Sequence, residues 1–283
     1  MKVLVTGATG QLGYDVCRVL EKRNIEHRGI GSAQLDITDE KAVSFYLAAY
    51  HPDAVIHCAA YTAVDKAESE RDRCFAVNKA GTRNLAQGCR SIGAKLLYLS
   101  TDYVFPGTGD RFYETGDHTG PRNVYGESKL AGESALREIL PEHFIVRVSW
   151  VFGVNGKNFV KTMLRLAETC DEVRVVSDQI GSPTYTADLA PLLCDMIMTE
   201  RYGTYHATNE GVCSWAEFAC EIFRLAGKKM TVTPILAREY PTAAERPLNS
   251  RLSKSSLDAG EFSCLPDWRD ALGRFFKESE TGF

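Results

Sequence analysis

A glycine-rich turn near the start of the chain constrains the fold most strongly. Gly7, Gly10 and Gly13 form a G-x-x-G-x-x-G motif that directly follows a short β-branched run at residues 2–6. After the glycines, apolar residues between 12 and 20 recur at helical spacing. Glycine permits a left-handed turn and lets a pyrophosphate approach the backbone N–H groups at a helix N-terminus. Strand, glycine turn and helix in this order predict a dinucleotide-binding unit.

The rest of the first half alternates strand-like and helix-like segments. Strand-like runs fall at 25–30, 54–60, 96–100 and 144–150, and helical patterns fall between them, at about 39–50, 71–92 and 123–139. The runs are almost continuously apolar, as expected for strands that are covered on both faces of a sheet. This repetition predicts an α/β fold: a Rossmann-type doubly wound parallel sheet over residues 1–150.

Beyond residue 150 the pattern loosens. A helix at about 157–169 precedes a strand at 173–178, and further helices are predicted near 186–200 and 214–226. The proline-rich stretch 234–253 predicts irregular structure. We interpret residues 151–283 as a smaller C-terminal α/β substrate domain, and leave open whether the strand at 173–178 returns to the main sheet.

Composition excludes several classes of protein. The 283 residues are 44% hydrophobic and 25% charged with a net charge of −4, which argues against disorder and against binding to nucleic acid or to a membrane surface. No apolar run approaches the ~20 residues that span a bilayer. The chain starts with a predicted strand, so we expect no signal peptide. Nine scattered cysteines without a C-x-x-C motif predict free thiols in a cytoplasm.

The type of dinucleotide depends on the end of the second predicted strand. An acidic residue there usually holds the ribose 2′-hydroxyl of NAD, whereas a basic residue accommodates the 2′-phosphate of NADP. The strand ends in Arg28-Gly29-Ile30-Gly31-Ser32, without an acid, and Asp36 is the nearest carboxylate. Arg28 could reach a phosphate or be a solvated charge. The sequence favours NADPH and leaves NADH open.

A tyrosine and a lysine lie side by side on one predicted helix. Tyr125 and Lys129 are four residues apart, hence neighbours on a helical face. A cation beside a phenol favours the phenolate, and such a phenol can donate a proton to a carbonyl oxygen while a nicotinamide delivers a hydride. Upstream, the predicted strand 96–100 ends in the polar cluster Ser100-Thr101-Asp102, at the edge of the sheet where ligands bind. Together these features predict a dehydrogenase.

These motifs resemble a known family. The chain is similar nearly end to end to the dTDP-4-dehydrorhamnose reductases of the extended short-chain dehydrogenase/reductase superfamily. Tyr-x-x-x-Lys marks only the superfamily. The narrower blocks are AAYTAVDKAE (59–68), STDYVF (100–105), NVYGESKLAGE (123–133) and RPLNSRL (246–252).

The resemblance implies NAD(P)H-dependent reduction of the C4 ketone of dTDP-4-dehydro-β-L-rhamnose. It implies that Tyr125 is the proton donor, that Lys129 lowers its pKa and holds the nicotinamide ribose, and that Thr101 binds the reacting oxygen. The implied cofactor contacts are Gly7, Gln11, Leu12, Asp36, Ile37, Ala59, Ala60, Tyr61 and Asn78, beside Gly10 and Gly13 of the glycine motif. The implied substrate contacts are Thr62, Val64, Tyr103 and Trp150, with Arg246 and Arg251 as a diphosphate clamp.

At several of these positions a purely structural role is an alternative to the functional one. Trp150 could be core packing, Tyr61 could only cap its strand, and loop arginines are usually solvated. Ser32 stands where many family members carry an arginine, which leaves NADP preference open. Some members dimerise through Mg²⁺ held by glutamates, and Asp15 and Asp188 fall at such positions. Ordinary helix-surface charges are the favoured interpretation, so we assign no residue to a metal site and leave Mg²⁺ and a homodimer open.

Two other functions remain as alternatives. One is a non-catalytic regulatory subunit similar to the beta subunit of methionine adenosyltransferase, which keeps the cofactor fold. The other is a nucleotide-sugar epimerase or dehydratase on the same scaffold. The intact set of Thr101, Tyr125 and Lys129 favours the reductase. A dehydratase usually needs an acid pair after the hydroxyl, and Tyr103 follows Asp102 here.

Overall fold

The computed structural model describes residues 1–281, so the last two residues of the expected second domain lie outside it. The strands are β1 (Lys2–Thr6), β2 (Glu26–Ile30), β3 (Ala54–His57), β4 (Lys95–Thr101), β5 (His143–Val148), β6 (Val151–Phe152), β7 (Glu172–Val176), β8 (Ile180–Gly181), β9 (Thr184–Tyr185), β10 (Gly203–His206), β11 (Asn209–Glu210), β12 (Cys213–Ser214), β13 (Thr231–Ile235), β14 (Asn249–Ser250) and β15 (Leu265–Asp267).

The α-helices are α1 (Gln11–Lys22), α2 (Glu40–Tyr50), α3 (Val64–Ala67), α4 (Arg71–Phe75), α5 (Thr82–Ile92), α6 (Val124–Ile139), α7 (Phe159–Leu166), α8 (Thr186–Ile197), α9 (Trp215–Leu225), α10 (Ser255–Ala259) and α11 (Trp268–Thr281). A π-helical segment, Ala76–Gly81, joins α4 to α5, and 3₁₀ turns cover Asp102–Val104 and Ala237–Glu239. The helix predicted over 71–92 is therefore one continuous run with a π-helical middle.

Six strands form a parallel sheet in the order β10-β5-β4-β3-β1-β2. The chain runs outward from β1 in one direction to β2 and in the other direction to β3 and β4. The strand order reverses at β1, and ligands of such sheets bind outside the carboxyl ends of the strands at that point. Helices α1 and α8 contribute to the apolar core on one face, and α2, α5 and α6 to the core on the other. The predicted doubly wound sheet is confirmed.

The second half of the chain forms a smaller unit of short strands and helices around an aromatic core. The strand near 173–178, whose place the sequence left open, does not return to the main sheet, because β7 pairs in parallel with β13. The strand that returns is β10, which adds to the edge of the sheet beside β5. With α8 packed on α1, residues 186–206 belong to the first unit, so the boundary at residue 150 does not separate the units cleanly.

Within residues 1–281, no helix combines the length and the apolar character that a membrane span requires.

Candidate active site

The glycine turn brings backbone rather than side chains to the end of the sheet. Gly7 has φ of +70°, and a Cβ there would lie 2.6 Å from the backbone nitrogen of Ala59. A Cβ on Gly13 would lie 2.3 Å from the carbonyl oxygen of Gly7, so helix α1 packs against the turn at a distance that only glycine allows. Gly10, the N-cap residue of α1, makes no side-chain cap. The positively polarised N-terminus of α1 is therefore available to bind an anion, such as the pyrophosphate of a dinucleotide.

A first cavity of about 690 Å³ extends from this turn along the carboxyl ends of the strands. Most of the predicted cofactor residues line it: Gly7, Gly10, Gln11, Leu12, Asp36, Ile37, Ala59, Ala60, Tyr61, Tyr125 and Lys129. Thr62, predicted as a sugar contact, lines this cavity too. The predicted nicotinamide-side residues and the glycine turn therefore share one continuous cleft.

Asn78 is a predicted cofactor contact that does not line the first cavity. Its side chain lies behind the wall, where Oδ1 accepts a hydrogen bond of 2.8 Å from the backbone N–H of Tyr61. Its Nδ2 donates to the Tyr61 carbonyl at 3.1 Å and to the Ser128 hydroxyl at 2.9 Å. The Tyr61 phenol donates to Glu70, so Tyr61 is held at both ends. Asn78 thus fixes the backbone at Tyr61 against α6.

Tyr125 reaches the cavity because of how α6 begins. The Asn123 side chain caps the helix by accepting from the N–H of Gly126 at 2.8 Å. A Cβ on Gly126 would lie 2.3 Å from the Tyr103 carbonyl oxygen, so glycine lets the first turn of α6 approach the end of β4. There the Tyr125 phenol lies near the hydroxyl of Thr101, which acts to lower the pKa of the phenol. The structure brings together the phenol and the hydroxyl that the sequence predicted as partners.

Lys129 completes this arrangement one helical turn later. It is 2% exposed, its Nζ donates to the Leu99 carbonyl at 2.5 Å, and it lies 4.1 Å from the centroid of the Tyr98 ring. Burial lowers the pKa of Lys129 to about 7. An ammonium with so low a pKa responds strongly to any negative charge that enters the cavity.

The expected effect of Lys129 on Tyr125 differs from what the structure shows. Burial raises the pKa of Tyr125, and the charge of Asp102 raises it further, while the hydrogen bond with Thr101 opposes the shift. Lys129 is directed to the Leu99 carbonyl instead. The prediction of a lowered pKa is therefore wrong for the ligand-free protein, because it considered the neighbouring charge and not the burial.

A second cavity of about 790 Å³ has Tyr103 in its wall. The Tyr103 ring lies 5.5 Å from that of Tyr125, centroid to centroid. Three guanidinium groups line this cavity, those of Arg174, Arg238 and Arg246, together with the aromatic rings of Phe159, Trp215 and Tyr240. Cationic and aromatic walls beside a proton donor suit an anionic ligand that carries a planar ring.

The predicted arginine clamp is only half present. Arg246 lines the second cavity, and its Nη2 donates to Asp65 at 2.7 Å, which fixes the guanidinium. Arg251 lines neither cavity, because its Nη1 donates to Asn249 at 3.0 Å. Sequence reasoning missed Arg174 and Arg238, since arginines scattered along the chain carry no local signal.

Three other predicted substrate residues line neither cavity: Thr101, which is buried, Val64 and Trp150. Val64 is the first residue of α3. Trp150 stacks on Trp215 with ring centroids 3.7 Å apart, and it is Trp215 that lines the second cavity. Sequence reasoning missed Trp215; its position directly after Ser214, the N-cap of α9, marked a helix start and gave no indication of a cavity.

The adenosine end of the first cavity carries no cation among its nearest lining residues, Gly31, Ser32, Leu35 and Asp36. Arg28, considered as a phosphate ligand, lies over the Tyr50 ring at 4.4 Å from its centroid and does not line the cavity. The argument for NADPH that rested on Arg28 is therefore wrong.

The two carboxylates considered for Mg²⁺ are already paired. Asp15 is 2% exposed and accepts hydrogen bonds from Thr186 and Arg18. Asp188 forms an ion pair with Arg274. Among residues 1–281, no group of three or more His, Cys, Asp or Glu side chains could hold a metal ion. Asp15 is therefore a buried, hydrogen-bonded group rather than an ordinary surface charge.

A doubly wound sheet whose glycine-lined cleft contains Tyr125 and Lys129 defines a short-chain dehydrogenase/reductase. A family model described as the RmlD substrate binding domain matches residues 1–281. The chain therefore belongs to the dTDP-4-dehydrorhamnose reductase family.

Individual relatives are similar to this chain in sequence over nearly their whole length. The dTDP-4-dehydrorhamnose reductase of Streptomyces griseus is 46% identical over 280 residues, which cover 96% of this chain and 92% of the relative. The spore coat polysaccharide biosynthesis protein SpsK of Bacillus subtilis strain 168 is 41% identical over 281 residues, covering 99% and 98%.

Solved structures are also similar to this chain over nearly its whole length. That of a dTDP-4-dehydrorhamnose reductase from Clostridium acetobutylicum is 41% identical, with a TM-score of 0.97 over 99% of this chain and 100% of that one. The reductase of Bacillus anthracis in complex with NADP is 45% identical, with a TM-score of 0.96 over 98% and 100%.

Proposed function

We propose that the chain is an NAD(P)H-dependent reductase that converts the C4 ketone of dTDP-4-dehydro-β-L-rhamnose to dTDP-L-rhamnose, the last step in making that sugar nucleotide. The observation that carries the proposal is the position of Tyr125. Its phenol lines the first cavity, lies near the Thr101 hydroxyl and lies 5.5 Å, ring to ring, from Tyr103 of the second cavity. A proton donor at this junction can serve a sugar in one cavity and a nicotinamide in the other.

The chain's own residues supply the acid half of the reaction. Bound NADPH supplies a hydride to the ketone carbon and leaves as NADP⁺. Because burial raises the pKa of Tyr125, its phenol is protonated at neutral pH and is ready to donate to the ketone oxygen. The Thr101 oxygen lies beside the phenol and orients this proton donor. Hydride and proton together convert the ketone to an alcohol.

Lys129 stabilises the phenolate that proton donation leaves behind. It lies one helical turn from Tyr125, and burial brings its pKa to about 7, so it is readily protonated when negative charge develops nearby. The electrostatic attraction between a buried cation and a buried phenolate is stronger than that between the same pair in water. Lys129 thus reduces the free energy needed to form the phenolate. Before the proton is donated, burial keeps the phenol in its protonated form.

The second cavity fits a nucleotide-linked sugar. Arg174, Arg238 and Arg246 provide the cations that a diphosphate requires, and Trp215 provides an aromatic surface for a base. Asp65 holds Arg246 in place by two hydrogen bonds. We place the reaction in a reducing cytoplasm, which the nine free cysteines support. A homodimer stays a prediction.

Net oxidation of NADPH by dTDP-4-dehydro-β-L-rhamnose tests the function. The reductase consumes one NADPH for each sugar reduced, so the absorbance of reduced nicotinamide falls in proportion to the sugar added. An epimerase or dehydratase regenerates its cofactor, so this absorbance shows no net change. A non-catalytic subunit binds NADPH without turnover on any keto sugar. NADH is compared in the same assay, since the adenosine end of the first cavity presents no cation at Ser32.

A further inference from the structure

A buried carboxylate lies next to the catalytic threonine. Asp102 is 3% exposed and begins the 3₁₀ turn that follows β4. Its Oδ1 accepts a hydrogen bond of 3.0 Å from the Thr101 hydroxyl, and its Oδ2 accepts one from the hydroxyl of Ser250. A carboxylate buried this deeply is costly unless it is hydrogen-bonded, and both of its oxygens are.

The carboxylate controls where the Thr101 proton points. A hydroxyl has one proton to donate, and Thr101 donates it to Asp102. The Thr101 oxygen accepts from the backbone N–H of Tyr103 at 3.2 Å and lies near the Tyr125 phenol. Asp102 therefore fixes the side-chain rotamer of Thr101 with its oxygen towards the proton donor.

Ser250 brings the second unit into this network. It lies in β14, pairs with Gly181 of β8 and is 1% exposed. The same segment carries Arg246, which lines the second cavity. Through Ser250, Asp102 joins the catalytic turn to the wall of that cavity.

We propose that Asp102 is a positioning residue: its carboxylate holds the Thr101 hydroxyl beside Tyr125 and couples it, through Ser250, to the wall of the second cavity. The proposal rests on the proposed function. Two hydroxyls, those of Ser250 and Thr101, donate to the carboxylate, one to each oxygen. Such surroundings fit the charged form, and a proton on either oxygen would displace a donor.

This arrangement gives the positioning a pH dependence. Burial raises the pKa of Asp102 to about 6. The titratable groups that face its charge are Tyr103 on the same turn and Tyr125 on α6; burial raises the pKa of both phenols, so both are neutral near pH 6. From the second unit, β14 contributes the neutral Ser250 hydroxyl. The positioning is thus lost as the pH falls through the pKa of Asp102.

The first test is Asp102→Asn, which keeps the volume and removes the titration. We expect kcat to fall by about tenfold to a hundredfold, as for a small misplacement of reacting groups, while the Kd for NADPH stays unchanged. In the wild-type protein kcat falls as the pH drops below about 6; this fall is the acid limb of the pH–rate profile. The variant lacks this acid limb. A variant with the kcat and acid limb of the wild type overturns the proposal.

The second test is Ser250→Ala, which keeps the carboxylate and removes one donor. Because the Ser250 hydroxyl lowers the pKa of Asp102, its loss moves the acid limb to higher pH. Ser253→Ala is the matched control, since its hydroxyl donates to Ser255 on the same segment and leaves Asp102 untouched. An acid limb that stays in place in Ser250→Ala overturns the proposal.

The wild-type profile separates the two proposals. A wild-type protein that does not oxidise NADPH with this sugar overturns the proposed function and this inference with it. A wild type that turns over without an acid limb near pH 6 overturns the inference alone.

Discussion

Trp150 and Trp215 stack with ring centroids 3.7 Å apart and planes 15° apart, although 64 positions separate them between the end of β5 and the start of α9. Trp150 has φ of +49°, a left-handed conformation that is uncommon for a bulky residue. A Cβ on Gly181 would lie 2.9 Å from the Trp150 ring, so a glycine accommodates the indole from the other side. This pair supports the wall of the second cavity from behind.

Trp215→Leu removes the ring that faces the second cavity. We expect the KM for the dTDP-linked sugar to rise by roughly tenfold, as when an aromatic anchor is lost, with the Kd for NADPH unchanged because Trp215 lies outside the first cavity. Steady-state kinetics and fluorescence titration of NADPH measure the two values. An unchanged KM would place the sugar nucleotide away from Trp215.

Tyr125→Phe removes the proton donor and keeps the ring. We expect kcat to fall by about 10²- to 10⁴-fold, the usual contribution of general acid catalysis, with NADPH binding retained. Tyr14→Phe is the matched control, since Tyr14 is 40% exposed on α1. Full activity of Tyr125→Phe would remove the phenol from the mechanism.

Binding of NADPH takes up a proton at Lys129. In the ligand-free protein the Lys129 pKa is about 7, so above that pH the amine is mostly neutral. The negative dinucleotide raises this pKa, and linkage then requires affinity to weaken as the pH rises from 7 to 9. Calorimetry in two buffers of different ionisation enthalpy measures the uptake.

Two lysine variants test the assignment of this proton. Lys129→Met is expected to bind NADPH without proton uptake. Lys157→Met is the control, because Lys157 also lines the first cavity and its loss leaves the uptake in place. Uptake that persists in Lys129→Met would assign the proton to another group.

Ser32→Arg adds a cation to the adenosine end of the first cavity. We expect the ratio of kcat/KM for NADPH to that for NADH to rise by about tenfold, the order of a charge-assisted hydrogen bond to a phosphate. Ala33→Arg is the control, since Ala33 is exposed and does not line the cavity. The same rise in both variants would indicate a general charge effect rather than a contact at residue 32.

Local patterns in the sequence predict much of the fold and part of the site. The glycine turn, the apolar strands and the four-residue spacing of Tyr125 and Lys129 depend on backbone conformation and helical period, which neighbouring residues determine. For the same reason the cofactor residues from Gly7 to Leu12 and at Ala59 and Ala60 were predictable, because they follow directly from strands of the sheet.

The tertiary structure alone decides what depends on distant contacts. Which late strand returns to the sheet, β10 rather than β7, depends on a free edge at β5. Whether an arginine faces a cavity or an internal partner depends on long-range neighbours, as Arg246 and Arg251 show. The charge state of Tyr125 likewise follows from burial, a property of the folded chain, rather than from its neighbour in the sequence.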